Sequence, residues 1–202
     1  MLLIFLSCTW EPGDEARERP FDAFDTWLNG FHYASGDMET QMEVDHHCNT
    51  LDSGTIECVL FDADGRLVGT EHVVPRAVFE SFDLEEATLW HAHVYEVLSG
   101  MLVAPELDAD AELELMRDLV STYGKTWHTT HEGEVLGVPI LMKAFYGDDQ
   151  LDPTLLEARD DRLDVDSDAR REARAGIEDP GFDTRTLVEP VIDVCETTPT
   201  EE

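Results

Sequence analysis

The chain has 202 residues, and its 46 aspartates and glutamates against 13 lysines and arginines give a formal net charge of −33. Nucleic acids and anionic membranes carry charge of the same sign, so the composition argues against both as partners. With 42% hydrophobic residues, the chain can bury the core of one domain. It shows no apolar stretch long enough for a transmembrane helix.

The basic residues are unevenly divided, because eleven are arginines and only Lys125 and Lys143 are lysines. A surface rich in carboxylates and poor in lysine is typical of proteins kept soluble in molar salt, where the Debye length shortens to about 3 Å. We therefore expect a halophilic protein with an acidic surface. The alternative is an acidic interaction protein at ordinary ionic strength.

The chain begins with an apolar run, residues 1–8, without the basic start of a signal peptide. We interpret it as a weak start or a terminal strand. No two cysteines have C-x-x-C spacing, which predicts free thiols and a cytoplasmic location. The four cysteines are Cys8, Cys48, Cys58 and Cys195.

After an N-terminal extension and linker over residues 1–20, a core domain is predicted over 21–152. Period-two alternation and β-branched residues predict its strands. The segment around Asp64 and Gly65 has the composition of a hairpin turn. The predicted strands are 40–50, 55–62, 67–74 and 126–130.

Two helices are predicted from capping signals. Asp83 and Glu86 form a capping-box pattern and Gly100 supplies a stop, which predicts a helix over 84–99. A second helix is predicted over 111–123, where apolar residues recur at core spacing before a glycine.

The C-terminal part is predicted as a helical segment over 153–177, with five of the eleven arginines, followed by a flexible acidic tail over 178–202. Short strands mixed with helices, without regular βαβ alternation, indicate an α+β fold. We expect a small mixed or antiparallel sheet packed with two to three helices.

All eight histidines lie within the core domain. This concentration of imidazole suits a transition-metal site, and it also suits a family with several buried, hydrogen-bonded histidines. Both interpretations stay open. The histidines are His32, His46, His47, His72, His91, His93, His128 and His131.

Five ordered blocks identify a family. They read FHYASGDMETQMEVDHHC, LWHAHVYEVLSG, TYGKTWHTTH, LGVPILMKAF and GDDQLDP. From Phe21 to Pro153 the chain thereby resembles the oil body-associated protein family, also called domain of unknown function 1264, and its acidity suggests a haloarchaeal-type member. The resemblance implies that plant relatives are found at oil bodies. It implies no reaction, so whether this chain is an enzyme stays open.

Where plant members tend to read His-His-Tyr-Cys, this chain has Asp45, His46, His47 and Cys48, so two of the four positions match. Strand alternation puts His46 and Cys48 on an apolar, inward face and the other two on a solvated face. A buried His46 beside a thiol is either a ligand pair or a hydrogen-bonded core histidine.

The H-A-H sequence at His91 and His93 has two interpretations. On a strand, both rings would point to one side, as in the metal-binding cupins, which have a similar H-x-H, Glu and V-L-x-G pattern. On the predicted helix, residues two apart diverge by about 200°. We favour the helix, so only His93 is a ligand, beside Glu96 at i, i+3. A hydrogen-bonded pair is the alternative.

Lys125 and Trp127 follow the second predicted helix and are candidates for binding a cofactor or small molecule, because a retained lysine can hold a carboxylate or phosphate. The alternative is a surface lysine that caps the helix carbonyls. The chain has no phosphate loop, nucleophile elbow, H-E-x-x-H pair or dinucleotide fingerprint.

Two functions remain. The first is a soluble metal- or small-molecule-binding domain. The second is a structural protein whose apolar segment 135–145 docks on a lipid surface or partner, or forms a contact between copies in a homo-oligomer. The ligands predicted for a zinc or iron ion are His46, His93, Glu96 and His128, with Asp45, Cys48 and His91 in reserve.

Overall fold

The computed structural model describes residues 20–191, whose centre is a closed antiparallel β-barrel. The sheet order is β4-β3-β2-β1-β7-β6-β5, and β4 also pairs with β6. That extra pairing closes six strands into a ring and leaves the short β5 beside β6. The strands are β1 (Thr26–Ala34), β2 (Asp37–Thr50), β3 (Ile56–Phe61), β4 (Leu67–Pro75), β5 (His91–Ala92), β6 (Thr122–His131) and β7 (Glu134–Ala144).

The barrel is built mainly from hairpins. β1 to β4 follow one another as antiparallel neighbours, and so do β6 and β7. The predicted turn at Asp64 and Gly65 joins β3 to β4, which confirms that hairpin. Closure pairs β7 with β1 and β4 with β6, so the six barrel strands have partners on both sides.

The α+β class is confirmed, but the sheet is larger than the small one predicted. β1 was missed because helices cover its outer face, so seven successive residues from Leu28 are buried and alternation is lost. β7 was missed because Gly137 and Pro139 are poor strand formers.

Six helices surround the barrel. They are α1 (Arg76–Phe79), α2 (Leu84–Ala87), α3 (Val94–Ser99), α4 (Ala109–Leu119), α5 (Pro153–Leu163) and α6 (Ser167–Ala173). The single C-terminal helical segment predicted from the sequence is therefore two helices, because α5 ends at Asp164 in a left-handed conformation with φ 52°. Residues Thr184–Leu187 add a 3-10 turn.

The single helix predicted over 84–99 is interrupted, although both of its ends are helical and Gly100 ends α3 as predicted. Its capping box forms, since the Glu86 amide donates to the Asp83 carboxylate at 2.9 Å, but α2 ends at Ala87. Trp90 then enters an aromatic cluster, and His91 pairs with Gly124 on β6. Burial and strand pairing therefore outweigh local helix propensity.

The second predicted helix begins at Ala109 and ends at Leu119, short of the predicted end at residue 123. Tyr123 and Gly124, which were expected to close it, belong to β6. Tyr123 stacks on Phe79 with ring centroids 3.8 Å apart. This packing favours the strand at a position where the sequence pattern indicated a helix.

Cys48 and Cys58 form a disulfide, which corrects the prediction of free thiols for this pair. They lie directly opposite each other on β2 and β3 with Cα atoms 4.1 Å apart. Sequence alone could not reveal this pairing because no C-x-x-C motif marks it. Cys8, Cys195 and the apolar run 1–8 lie outside the described residues.

The C-terminal helices hold the segment that follows α3. Arg159 donates to the carbonyl of Met101 at 3.0 Å, and Arg174 donates to those of Val97 and Leu102, both at 2.8 Å. Both guanidinium groups are buried. Within residues 20–191, no helix is long and apolar enough to cross a membrane.

Candidate metal centre

Glu71 is the centre of a cluster of imidazoles inside the barrel. Alternation on β4 turns it inward while its neighbour His72 is exposed. Its carboxylate lies 3.1 Å from His46 Nε2, 3.1 Å from His91 Nε2 and 3.4 Å from His93 Nε2. The four side chains come from β2, β4, β5 and the residue before α3.

Both histidines of the H-A-H sequence therefore face the same carboxylate. The expectation that only one of these rings faces the site was wrong, because His91 lies on a strand and His93 is the residue that precedes α3. Their ring centroids are 5.1 Å apart. The alternative interpretation of the H-A-H sequence, in which both rings point to one side, describes this arrangement.

The hydrogen bonds of two rings define their tautomers. His46 Nδ1 lies 3.2 Å from the carbonyl oxygen of Val44, so it donates there. His93 Nδ1 lies 2.8 Å from Thr122 Oγ1, whose own hydrogen is donated to the Leu119 carbonyl at 2.7 Å. In the neutral form of each ring, the Nε2 lone pair is then directed at the Glu71 carboxylate.

His91 lacks partners for both ring nitrogens among the described residues, because the contact of Nε2 with Glu71 has poor angles for a hydrogen bond. Burial lowers the pKa of His91 to about 4, although Glu71 opposes this. Burial acts to raise the pKa of Glu71, but the contacts with His46, His91 and His93 outweigh it and hold that pKa well below its usual range. At neutral pH, Glu71 is an anion and His91 is neutral.

Gly124 on β6 leaves the space in which three of these groups meet. A Cβ built there would lie 2.0 Å from Glu71 Oε1, 2.6 Å from His91 Nε2 and 2.8 Å from His93 Nε2. Any side chain at this position would overlap with all three atoms. The donors therefore converge on one small volume that only glycine keeps open.

Three more buried groups adjoin the cluster. His32 lies against His46 and His128, with ring centroids 5.1 and 5.9 Å away. Burial lowers the pKa of His128 to about 4, whereas burial and the charge of Glu71 raise the pKa of Glu96 well above its usual range. Two sets of donor atoms lie within 4.8 Å of one another: His32, Glu71 and His91, and His91, His93 and Glu96.

The structure thus brings three of the four predicted ligands, His46, His93 and Glu96, to one cluster, and His128 borders it through His32. Of the reserve ligands, His91 belongs to the cluster and Cys48 is held in its disulfide.

Three other residues considered from the sequence point away from the cluster. Asp45 accepts hydrogen bonds from Trp27 and Asn29, both at 2.9 Å, on the outer face of β2. Lys125 donates to Glu86 at 2.6 Å. Trp127, two residues further along β6, lies on the same outer face.

Glu71 was not among the candidates predicted from the sequence, and His32 was considered only as one of the eight histidines. The signal for Glu71 was present, because it shares a strand face with Gly69 and Val73 inside the predicted strand 67–74. A carboxylate on an otherwise apolar face needs a partner. Its partners come from β2 and β5, and only barrel closure brings those strands near it.

Comparison with known proteins identifies the family. Residues 18–178 match the family described as "Protein of unknown function (DUF1264)". The chain is 34% identical over 174 residues to oil body-associated protein 2A of Arabidopsis thaliana, which covers 80% of this chain and 69% of that protein. It is 34% identical over 153 residues to oil body-associated protein 2A of Zea mays, with 71% and 61% covered.

A third relative, oil body-associated protein 1A of Zea mays, is 32% identical over 168 residues, which is 80% of this chain and 71% of that protein. No solved structure matches the chain significantly. The resemblance carried by the five sequence blocks is confirmed, and the chain belongs to the DUF1264 family of oil body-associated proteins.

Proposed function

We propose that this protein binds a divalent transition-metal ion inside the barrel, through Glu71, His46, His91 and His93. The observation that carries the proposal is the direction of the hydrogen bonds. The outer nitrogens of His46 and His93 donate to protein acceptors, so their Nε2 lone pairs and the Glu71 carboxylate are directed at one another. Opposed acceptors of this kind need either a proton or a metal ion between them. Protons on Nε2 would donate to Glu71 and hold its pKa low, and a metal ion would take the place of those protons.

The distances from Glu71 to each single imidazole are compatible with an ion, whereas the sets of three donors that all lie within 4.8 Å of one another are His32, Glu71 and His91, and His91, His93 and Glu96. Two donors bound at about 2.1 Å lie about 3.0–3.4 Å apart at octahedral and tetrahedral angles. The contacts of Glu71 with His46, His91 and His93 are 3.1, 3.1 and 3.4 Å. Three imidazoles and one carboxylate suit zinc or iron. His32 and Glu96 are further donors within reach of His91.

A doubly protonated imidazole is the competing source of positive charge. His46 and His93 would then each be cationic and would donate from Nε2 to Glu71. That arrangement pairs two buried cations with one carboxylate, which is costly in the barrel interior. Protons and a metal ion would compete for the same Nε2 atoms, so a metal titration tests whether the ion prevails.

The test is zinc affinity, measured by competition with a chromophoric chelator on protein purified without a histidine tag. Glu71→Gln keeps the shape of the side chain and removes its charge. We expect it to weaken the affinity for zinc by more than the roughly 10–100-fold loss typical of residues that only hold a ligand in place. The control His72→Ala alters the neighbouring exposed histidine, whose side chain is 53% exposed. Equal affinity of Glu71→Gln and the unaltered protein would refute the proposal.

The second candidate function is docking on a lipid surface. The relatives are named oil body-associated proteins, and Val135 and Val138 on β7 are 85% and 55% exposed. The net charge of −33 opposes anionic surfaces, so the surface in question is a zwitterionic or neutral one. Flotation with phosphatidylcholine-coated triacylglycerol droplets tests this function. Recovery with the droplets that is lost on Val135→Ser with Val138→Ser supports it.

We also propose that the protein is a halophilic, haloarchaeal-type member. This rests on the acidic, lysine-poor composition. The relatives described above are plant proteins, so the composition alone supports this part of the proposal. The cytoplasmic location expected from free thiols loses that support, because Cys48 and Cys58 form a disulfide.

A further inference from the structure

A cavity adjoins the donor cluster inside the barrel. One wall is formed by the cluster itself, including His32, His46 and Glu71. The rest of the lining is the Cys48–Cys58 disulfide together with aliphatic side chains. Those aliphatic residues are Leu28, Ile56, Val73, Leu102 and Leu119.

The two parts of the lining differ in what they offer a ligand. The polar lining side chains are His32, His46, Glu71, His93 and Glu96, so a molecule in the cavity can form polar contacts with these and only apolar contacts with the rest. A ligand with a second charged group, or with several hydrogen-bonding atoms, would find no partners for those groups among the aliphatic side chains. The chemistry therefore selects a compact ligand with one coordinating end.

The size of the cavity is more restrictive still. Its volume is about 20 Å³, and one water molecule needs about 10–15 Å³ by this measure. Leu102 lines the cavity close to Glu96, since its Cδ1 and Glu96 Oε1 lie 3.1 and 3.6 Å from the same Cβ built on Gly30. The space admits a water molecule or a ligand of two or three atoms.

Resting on the proposed metal site, we propose that an ion held there would take from this cavity only diatomic or small linear ligands, and that Leu102 sets this size limit. Larger monodentate ligands, such as imidazole, would be excluded by the aliphatic side chains. The cavity thus assigns the class of exogenous ligand, a small neutral molecule or small monoanion.

Cobalt(II) is the probe, because its visible absorption reports a change of ligand. We expect the cobalt-loaded protein to show a saturable spectral shift with azide and none with imidazole at the same concentration. In Leu102→Ala, imidazole should bind at least tenfold more tightly than in the unaltered protein. Leu141→Ala is the matched control, since Leu141 is equally buried but does not line the cavity.

The outcomes separate the two proposals. Failure to take up cobalt refutes the metal site, and the ligand class with it. Uptake of cobalt without an azide shift, or equal affinities for azide and imidazole in the unaltered protein, refutes the ligand class alone. That comparison needs no variant, so it decides the question even where Leu102→Ala folds poorly.

Discussion

At the residue scale, the account depends on Glu71 and the small volume in which its imidazole neighbours meet. A carboxylate kept ionised in a barrel interior needs compensating charge. Burial leaves His91 neutral at pH 7, since its pKa is lowered to about 4. A bound cation would therefore satisfy the carboxylate and the free nitrogens together.

Gly124→Ala tests whether that volume matters. The added methyl group would lie 2.0 Å from Glu71 Oε1, so the carboxylate and the imidazoles must separate. We expect a loss of about 1–3 kcal/mol in the free energy of unfolding, as for other overpacked sites, together with loss of metal binding. Urea denaturation and zinc titration measure the two effects.

Gly137→Ala is the control for Gly124→Ala, because a Cβ at Gly137 has no described atom within 4 Å. Both substitutions add one methyl group to a strand glycine. If Gly124→Ala bound zinc as tightly as Gly137→Ala, the convergence of donors at Gly124 would have no functional meaning.

The pH dependence of stability follows from the buried histidines. The pKa values of His91 and His128 are lowered from 6.5 to about 4, mainly by burial. At pH values between about 4 and 6.5, these histidines bind protons in the unfolded chain but not in the folded chain. The free energy of unfolding therefore falls as the pH falls from about 6.5 to 4. The loss is complete only below the folded-state pKa.

His128→Gln removes one of these groups. In metal-free protein, the variant should lose less stability over this window, with a slope shallower by up to about 1.4 kcal/mol per pH unit. Urea denaturation at several pH values measures the slope. An unchanged slope would show that folding does not lower the pKa of His128.

At the scale of elements, the C-terminal helices support the site through arginines. Arg174 is buried, donates to the carbonyls of Val97 and Leu102, and pairs with Glu112 at 3.0 Å. These contacts fix the end of α3, which carries Glu96. The helices are therefore part of the structure that holds the donor cluster.

Arg174→Met should be strongly destabilising, because it removes one of the two arginines that pair with Glu112 and a donor to the carbonyls of Val97 and Leu102. We expect a loss of about 3–5 kcal/mol in the free energy of unfolding. Arg117→Met on the exposed side of α4 is the matched control and should cost little. Comparable losses in both variants, measured by urea denaturation, would refute the supporting role.

The elements also show where sequence reasoning succeeds. β2, β3 and β4 alternate between buried and exposed residues, so their strands and hairpin were predicted. The H-A-H segment was assigned to a helix because its capping signals are local, whereas its pairing with Gly124 is non-local. His46 and His93 were found as candidates, but Glu71 was not, since its partners meet it only in the closed barrel.

At the scale of the whole molecule, the net charge of −33 dominates. Self-repulsion of this size destabilises a compact state, and salt screens it, with a Debye length of about 3 Å at 1 M. We expect circular dichroism to show loss of secondary structure below about 0.5 M KCl and recovery near 2 M. A signal unchanged over this range would rule out the halophilic interpretation.

The central claim is tested most directly by elemental analysis of the full chain, purified without a histidine tag or chelator. The account predicts about one zinc or iron ion per chain, carried through gel filtration and absent from Glu71→Gln, while His72→Ala retains it. Metal at the level of the buffer, in protein that also fails to take up zinc or iron on titration, would contradict it. The imidazoles around Glu71 would then be structural.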